Sequence, residues 1–336
     1  MFLLVSMVGL GWATPGVPEV ETPELIEGVS ADLERPQIEP PTQRALLEEA
    51  VALRRVGAFD EAAVMLAMAQ QTPGEVDEQV AYQSGVLLEI TEQWAKAVLA
   101  YERVEAGWPD TPSAVDAQFR RAYCLEETGE HKASIRVVRS LQRRGRWSPA
   151  DEASMSLQRG IAETRSGRVR RGIRRILKAL DSVQMDRTWI QAKARLALVR
   201  AQTDAAATIK LKGNRKAARR LTRRSALIAS AEKQAIAMFN LGEPEFALEG
   251  LLLLGDSYLA LYEDMLQYPP PRSVPKDQRE AYREAVGERA QVLWAKAHAR
   301  YDEGVRVAAR TQWVGSVTQR LVEARDRTAP ADPVVF

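Results

Sequence analysis

The chain has 336 residues, room for about two domains, and a composition of 46% hydrophobic and 27% charged residues excludes a wholly disordered protein. One cysteine, Cys124, excludes an internal disulfide framework, and with only His131 and His298 beside it there is no donor set for a Cys/His zinc centre. A net charge of +2 conceals a strong asymmetry: residues 1–41 carry −6, 42–131 carry −9, 132–224 carry +20 and 225–336 carry −3. Such a field bears on partners and association rather than on fold.

From Phe2 to Leu10, eight of nine residues are apolar or glycine, and Gly11 and Ala13 stand two apart, like the small residues of a cleavage site. The pattern predicts an export signal over 1–13 and a periplasmic location in a Gram-negative envelope. It departs from the usual form in one respect, since no Lys or Arg precedes the apolar run. The run is too short to cross a bilayer, which takes about 20 residues, and no cysteine follows for a lipid anchor. Residues 14–41 hold six prolines, seven acids and no aromatic residue. Missing backbone donors and mutual repulsion argue against a core there. The segment reads as an acidic, semi-extended tether, either a spacer or a segment for the basic middle or a partner.

From Thr42 onward the helical period dominates. The first unit has Leu46, Ala50 and Leu53 before Gly57, then Phe59, Ala62, Leu66 and Ala69. The second has Gly85 and Leu88, then Trp94, Ala97, Tyr101 and Pro109; the third Ala122, Leu125, Gly129, Ser134 and Val138; the fourth Gly160, Gly167, Gly172, Ile176 and Ala179. Small residues would let paired helices approach closely, and large ones one turn away would fill the gap to the next pair. The Gly-x-aromatic-x-x-Ala junction and the spacing of 35 residues from Ala62 to Ala97 resemble the tetratricopeptide repeat, whose period is about 34. That resemblance implies about four stacked helix-turn-helix repeats over 42–183.

Residues 184–336 read as a domain of long helices, at about 187–206, 214–241, 246–266 and 275–310, with Trp313 and Leu321 on a last helical stretch. The strings NLGEPEFALEGLLLLGDSYLALYEDML, QYPPPRSVPKDQREAYREAV and AKAHARYDEGVRVAARTQWV fall in this part. The region from about 215 to 325 resembles the C-terminal part of exported tetratricopeptide-repeat proteins of delta-proteobacteria, among them components of gliding machinery. The resemblance implies a cell-envelope scaffold and not gliding itself. The expected fold is all-α: a tetratricopeptide-like solenoid followed by a long-helix domain.

No Gly-rich phosphate loop is present. Cys124 and His131 read as packed residues of the third unit, and the acid pairs Glu126/Glu127 and Glu263/Asp264 as solvated helix faces. No catalytic, cofactor or metal residue is expected, and the chain reads as a non-enzyme. Repeat proteins of this family commonly bind partners on the inner faces of their first helices. That rule places Leu47, Val51, Arg54, Tyr82, Val86, Glu89, Phe119, Tyr123 and Glu126 in a groove whose aromatics and acids suit a protein segment with apolar and basic side chains. The runner-up is a polyanion-binding face on the basic middle. Arg170, Arg171, Arg174, Arg175 and Lys178 share one helical face there, and Arg143, Arg144, Arg146, Arg168, Arg215, Lys216, Arg219, Arg220, Arg223 and Arg224 extend the block. Anionic lipid, an envelope polymer and nucleic acid are its candidate ligands. Export and the scarcity of aromatics, only Trp147 and Trp189 in 132–224, disfavour nucleic acid.

Overall fold

The computed structural model describes residues 40–145, 147–182, 187–211, 216–271 and 273–329, and no strand occurs among them. The apolar start and all but the last two residues of the acidic tether lie outside them, as do Arg146 and Arg215. The described residues beyond Pro41 belong to one compact unit, Thr42–Phe336.

Helices come in hairpins: α1 (Gln43–Arg55) with α2 (Phe59–Gln71), α3 (Asp77–Ile90) with α4 (Trp94–Gly107), and α5 (Pro112–Glu127) with α6 (His131–Arg144). The pairing continues through α7 (Pro149–Arg165) with α8 (Val169–Leu180), α9 (Thr188–Ala207) with α10 (Ala217–Phe239), and α11 (Pro244–Leu266) with α12 (Arg279–Thr311). The last helix, α13 (Ser316–Arg327), packs on α12 and α11. The chain is thus the expected all-α, tetratricopeptide-like solenoid. Trp313, expected on the last helix, lies in the turn before it.

Local chemistry sets the helix ends. Thr42, Thr111 and Ser148 cap α1, α5 and α7, their hydroxyls accepting from the amides of Ala45, Ala114 and Asp151. Pro112 and Pro149 follow two of these caps, where a missing amide costs nothing. Three hairpins turn at a glycine in the left-handed region: Gly57, Gly129 and Gly167, with φ of 83°, 83° and 87°. Such a turn allows Ala58 N to donate to Leu53 O at 3.0 Å and Arg168 N to Glu163 O at 2.9 Å. The second hairpin makes the equivalent bond, Gln93 N to Leu88 O at 2.8 Å, but places Glu92 at φ 57°. A side chain there costs about 1–2 kcal/mol. Glu92→Gly is therefore expected to raise stability by about 1 kcal/mol, read as a higher urea midpoint at unchanged slope.

Each odd-numbered helix from α1 to α9 touches the next odd-numbered one, whereas no even-numbered helix touches another among the described residues. Odd helices therefore line the inner, concave side and even helices the outer side. Small residues permit the close crossings. Ala62, Ala97 and Ser134 are fully buried, and a Cβ on Gly85 would lie 2.7 Å from the ring of Tyr101.

Candidate functional site

Of the residues expected in the groove, Tyr82 and Glu89 on α3 and Phe119 and Tyr123 on α5 meet on the concave side. Leu47, Val86 and Phe119 are all buried core residues, and of the three only Phe119 borders the open cleft. Val51 packs at the edge of the core around Leu46 and Ala50. Of the expected residues, Glu89, Phe119 and Tyr123 line the open cleft; Val51, Leu47, the half-buried Arg54 and Tyr82 do not.

An ionic network ties α3 to α5. Tyr101 donates to Glu89 (2.7 Å), Arg120 Nη1 donates to Glu89 (2.9 Å), and Arg120 Nε donates to Asp116 (2.8 Å) and to the Tyr82 hydroxyl (3.0 Å). Tyr82 in turn donates to Asp116. Burial, reinforced by the Asp116 carboxylate, pushes the Tyr82 pKa up to about 12, so the phenol stays protonated. Sequence reading found Tyr82 and Glu89 but not Asp116 and Arg120, which neutralise and orient them.

The second finding concerns α9. Lys193 Nζ lies 3.8 Å from the centroid of the Tyr123 ring and 2.6 Å from Glu126, and it donates to Glu127. Trp189, one helical turn earlier, meets Tyr123 edge-on at 5.5 Å and Phe119 at 6.4 Å. The inner face of α5 thus already holds an aromatic and a basic side chain, both supplied by this chain. Glu126 was expected as a groove wall, and with Glu127 as a solvated pair. It is instead fully buried, and Arg165 donates to it at 2.7 Å. Burial alone would raise its pKa, but Lys193 and Arg165 outweigh that and hold the carboxylate below its ordinary value. Asp264, also expected to be solvated, accepts from the buried Arg224.

Beyond these contacts a cleft of about 440 Å³ remains open on the concave side. Its walls are Phe119 and Tyr123 of α5, Trp189 of α9 and Phe246 of α11, with Arg187 stacked 5.6 Å over Phe119. Glu89, Asp116 and Arg120 form one rim; Glu243 and Glu245 at the start of α11 form the other. A second hollow of about 620 Å³ shares Glu245 and Phe246 and runs on between α7, α9 and α11. Glu243 accepts from Thr188 at 2.5 Å, and neither Glu243 nor Glu245 has an ion pair among the described residues. Desolvation, then repulsion from Glu127 and Glu92, raises the Glu245 pKa. A cation arriving here would relieve that repulsion.

The basic face divides into two. Arg171 and Arg175 lie 3.3 and 3.0 Å from the fully buried Glu163 of α7, which also meets Arg159 at 3.3 Å. They are counter-ions of a buried acid rather than a free face. Arg170, Arg174 and Lys178 are exposed and make no ion pair among the described residues. Cys124 is buried, and burial followed by the Glu89 charge pushes its thiol well above the ordinary range.

No known family matches the chain, and no curated protein matches it by sequence. Among solved structures it is similar to the MamA RS-1 ArsTM double mutant, at 20% identity and a TM-score of 0.40, over 57% of this chain and 97% of that one. It is also similar to a tetratricopeptide repeat protein from Parabacteroides merdae ATCC 43184, at 13% identity and a TM-score of 0.40, over 85% of this chain and 98% of that one. The repeat architecture of the present chain is carried by its own helix pairing.

Proposed function

We propose that the concave cleft binds a segment of a partner protein and that the chain is a non-catalytic scaffold of a Gram-negative cell envelope, exported to the periplasm. One observation carries the binding reading: an open hollow walled by four aromatic side chains and rimmed by two carboxylates, Glu243 and Glu245, that make no ion pair among the described residues. Aromatic anchors dominate the energy of protein interfaces, and the carboxylates select a basic neighbour. The α9 contact displays the same chemistry in cis, an aromatic and a lysine four residues apart held by Tyr123, Glu126 and Glu127. The non-catalytic reading is supported by Cys124, whose buried thiol is held protonated and is no nucleophile. The apolar run before Ala13 and the resemblance over about 215–325 support export and the envelope.

The test of the cleft is the pair Phe246→Ala and Glu245→Lys, which removes one wall and reverses one rim charge without touching the Tyr82–Arg120 network. Affinity purification from envelope extracts, with partners identified by mass spectrometry, should show partners of the unaltered chain losing affinity by about tenfold or more. Retention of every partner by a variant that is folded by circular dichroism would overturn the reading. Export predicts a mature N-terminus near Thr14; intact Met1 on cytoplasmic protein would contradict it.

A further inference from the structure

Three consecutive outer helices each carry a row of exposed cations at helical spacing: Lys132, Arg136 and Arg143 on α6, Arg170, Arg174 and Lys178 on α8, and Lys216, Arg219 and Arg223 leading into and along α10. None of the nine makes an ion pair among the described residues. Of their neighbours of the same sign, Arg171 and Arg175 hold Glu163, and Arg224 holds Asp264. The outer helices before them differ. On α2 there is no base at all, and on α4 Lys96 and Arg103 are interspersed with Glu102 and Glu105. A need for solubility does not explain the contrast, because mixed charge serves it as well.

We infer that the outer face formed by α6, α8 and α10 docks on an anionic lipid surface. Nine long, flexible cations spread over three helices match a ligand that presents many phosphates across a broad area. Beside the cations, Leu177 of α8 is 40% exposed, next to Arg174 and Lys178, whereas Ile173 packs on the core and Val169 borders the second hollow. An aliphatic side chain flanked by basic ones is what a helix lying at a bilayer interface presents. A nucleic acid would call for stacking residues among the cations, and none of these rows contains an aromatic. An acidic protein would leave the exposed Leu177 among the cations unexplained. The inference is independent of the cleft, which lies on the opposite, concave side.

The experiment is sedimentation of the full chain with vesicles of phosphatidylcholine alone and of phosphatidylcholine with phosphatidylglycerol. Binding should require the anionic lipid and weaken as salt rises, since screening acts over about 10 Å at 0.1 M. Arg170→Gln, Arg174→Gln and Lys178→Gln combined, which spares Arg171 and Arg175, should reduce vesicle affinity by about 100-fold at an unchanged melting temperature. A second variant, Leu177→Asn, should weaken binding without altering its salt dependence. Equal binding to both vesicle types, no binding to either, or an undiminished affinity in the triple variant would overturn the inference. So would tight binding of a DNA duplex by a chain that ignores anionic vesicles.

Discussion

Lys193→Met is expected to destabilise the chain by about 3 kcal/mol at neutral pH, the lower end of the cost of breaking a buried ion pair. Glu126 is fully buried and the Lys193 side chain is 6% exposed, so the pair sits out of water. Methionine keeps the length and apolar stem of lysine and removes the charge. The Glu126 carboxylate then keeps only Arg165, whose side chain is 36% exposed and partly screened. Tyr123 loses the cation on its ring, and Glu127 loses a partner. The sign of the pH dependence follows from the lowered pKa of Glu126. A carboxylate with a depressed folded pKa contributes stability above its unfolded value, about 4.3, and that stability is lost as pH falls through the folded value. Removing Lys193 leaves desolvation less opposed and moves the acid limb to higher pH. The deficit of the variant, measured by urea unfolding, should be large at pH 7 and shrink toward pH 4. Adding Glu126→Gln to Lys193→Met should recover part of the loss at pH 7. Equal deficits at both pH values would show that lost packing, not lost charge, explains the effect.

The same residues show how far the sequence could be read. Gly57, Gly129 and Gly167 stop helices by local backbone chemistry, and the small-residue positions Ala62, Ala97 and Ser134 mark crossings within a hairpin, so both are visible in a short window. The groove was legible as a set of residue types. The inner-face rule places Tyr123 and Glu126 in a groove suited to a segment with apolar and basic side chains, and they hold one, but it is α9, some seventy residues further along. The only local signal was that Trp189 and Lys193, four apart, share a helix face; which face they would meet depends on the curvature of the whole stack. Arg120 was missed for a related reason. A base beside Asp116 reads as an ordinary surface i,i+4 pair until α3 brings Tyr82 and Glu89 against it. The basic face was over-read in the opposite sense. Spacing alone cannot separate Arg171 and Arg175 from Arg170 and Arg174. The difference lies in Glu163, across the hairpin on α7, which a buried environment forces to find cations.

Gly172→Ala should be the most damaging single methyl group that can be added to the repeats, at about 3 kcal/mol. At the α7–α8 crossing a Cβ on residue 172 would lie 2.6 Å from the Gly160 carbonyl oxygen, 2.6 Å from Thr164 Cγ2 and 2.7 Å from the Thr164 amide nitrogen. Two of these three are backbone atoms inside a helix and cannot rotate away. Relief requires α8 to move off α7, and that motion would also pull Arg171 and Arg175 from Glu163, leaving a fully buried carboxylate with Arg159 alone. Gly250→Ala provides the comparison. A Cβ there would meet the Met238 Cε at 2.5 Å and otherwise only the Ala235 Cβ at 3.8 Å, so the flexible end of a methionine can give way. Both glycines lie within helices, where alanine is intrinsically favoured by about 1 kcal/mol. The two substitutions are therefore expected to differ in sign or nearly so: a steep drop in melting temperature for Gly172→Ala, and a small change in either direction for Gly250→Ala. If Gly172→Ala instead stabilises the chain, the two helices do not cross in contact at Gly160 and Gly172, and the register of the fourth hairpin is wrong.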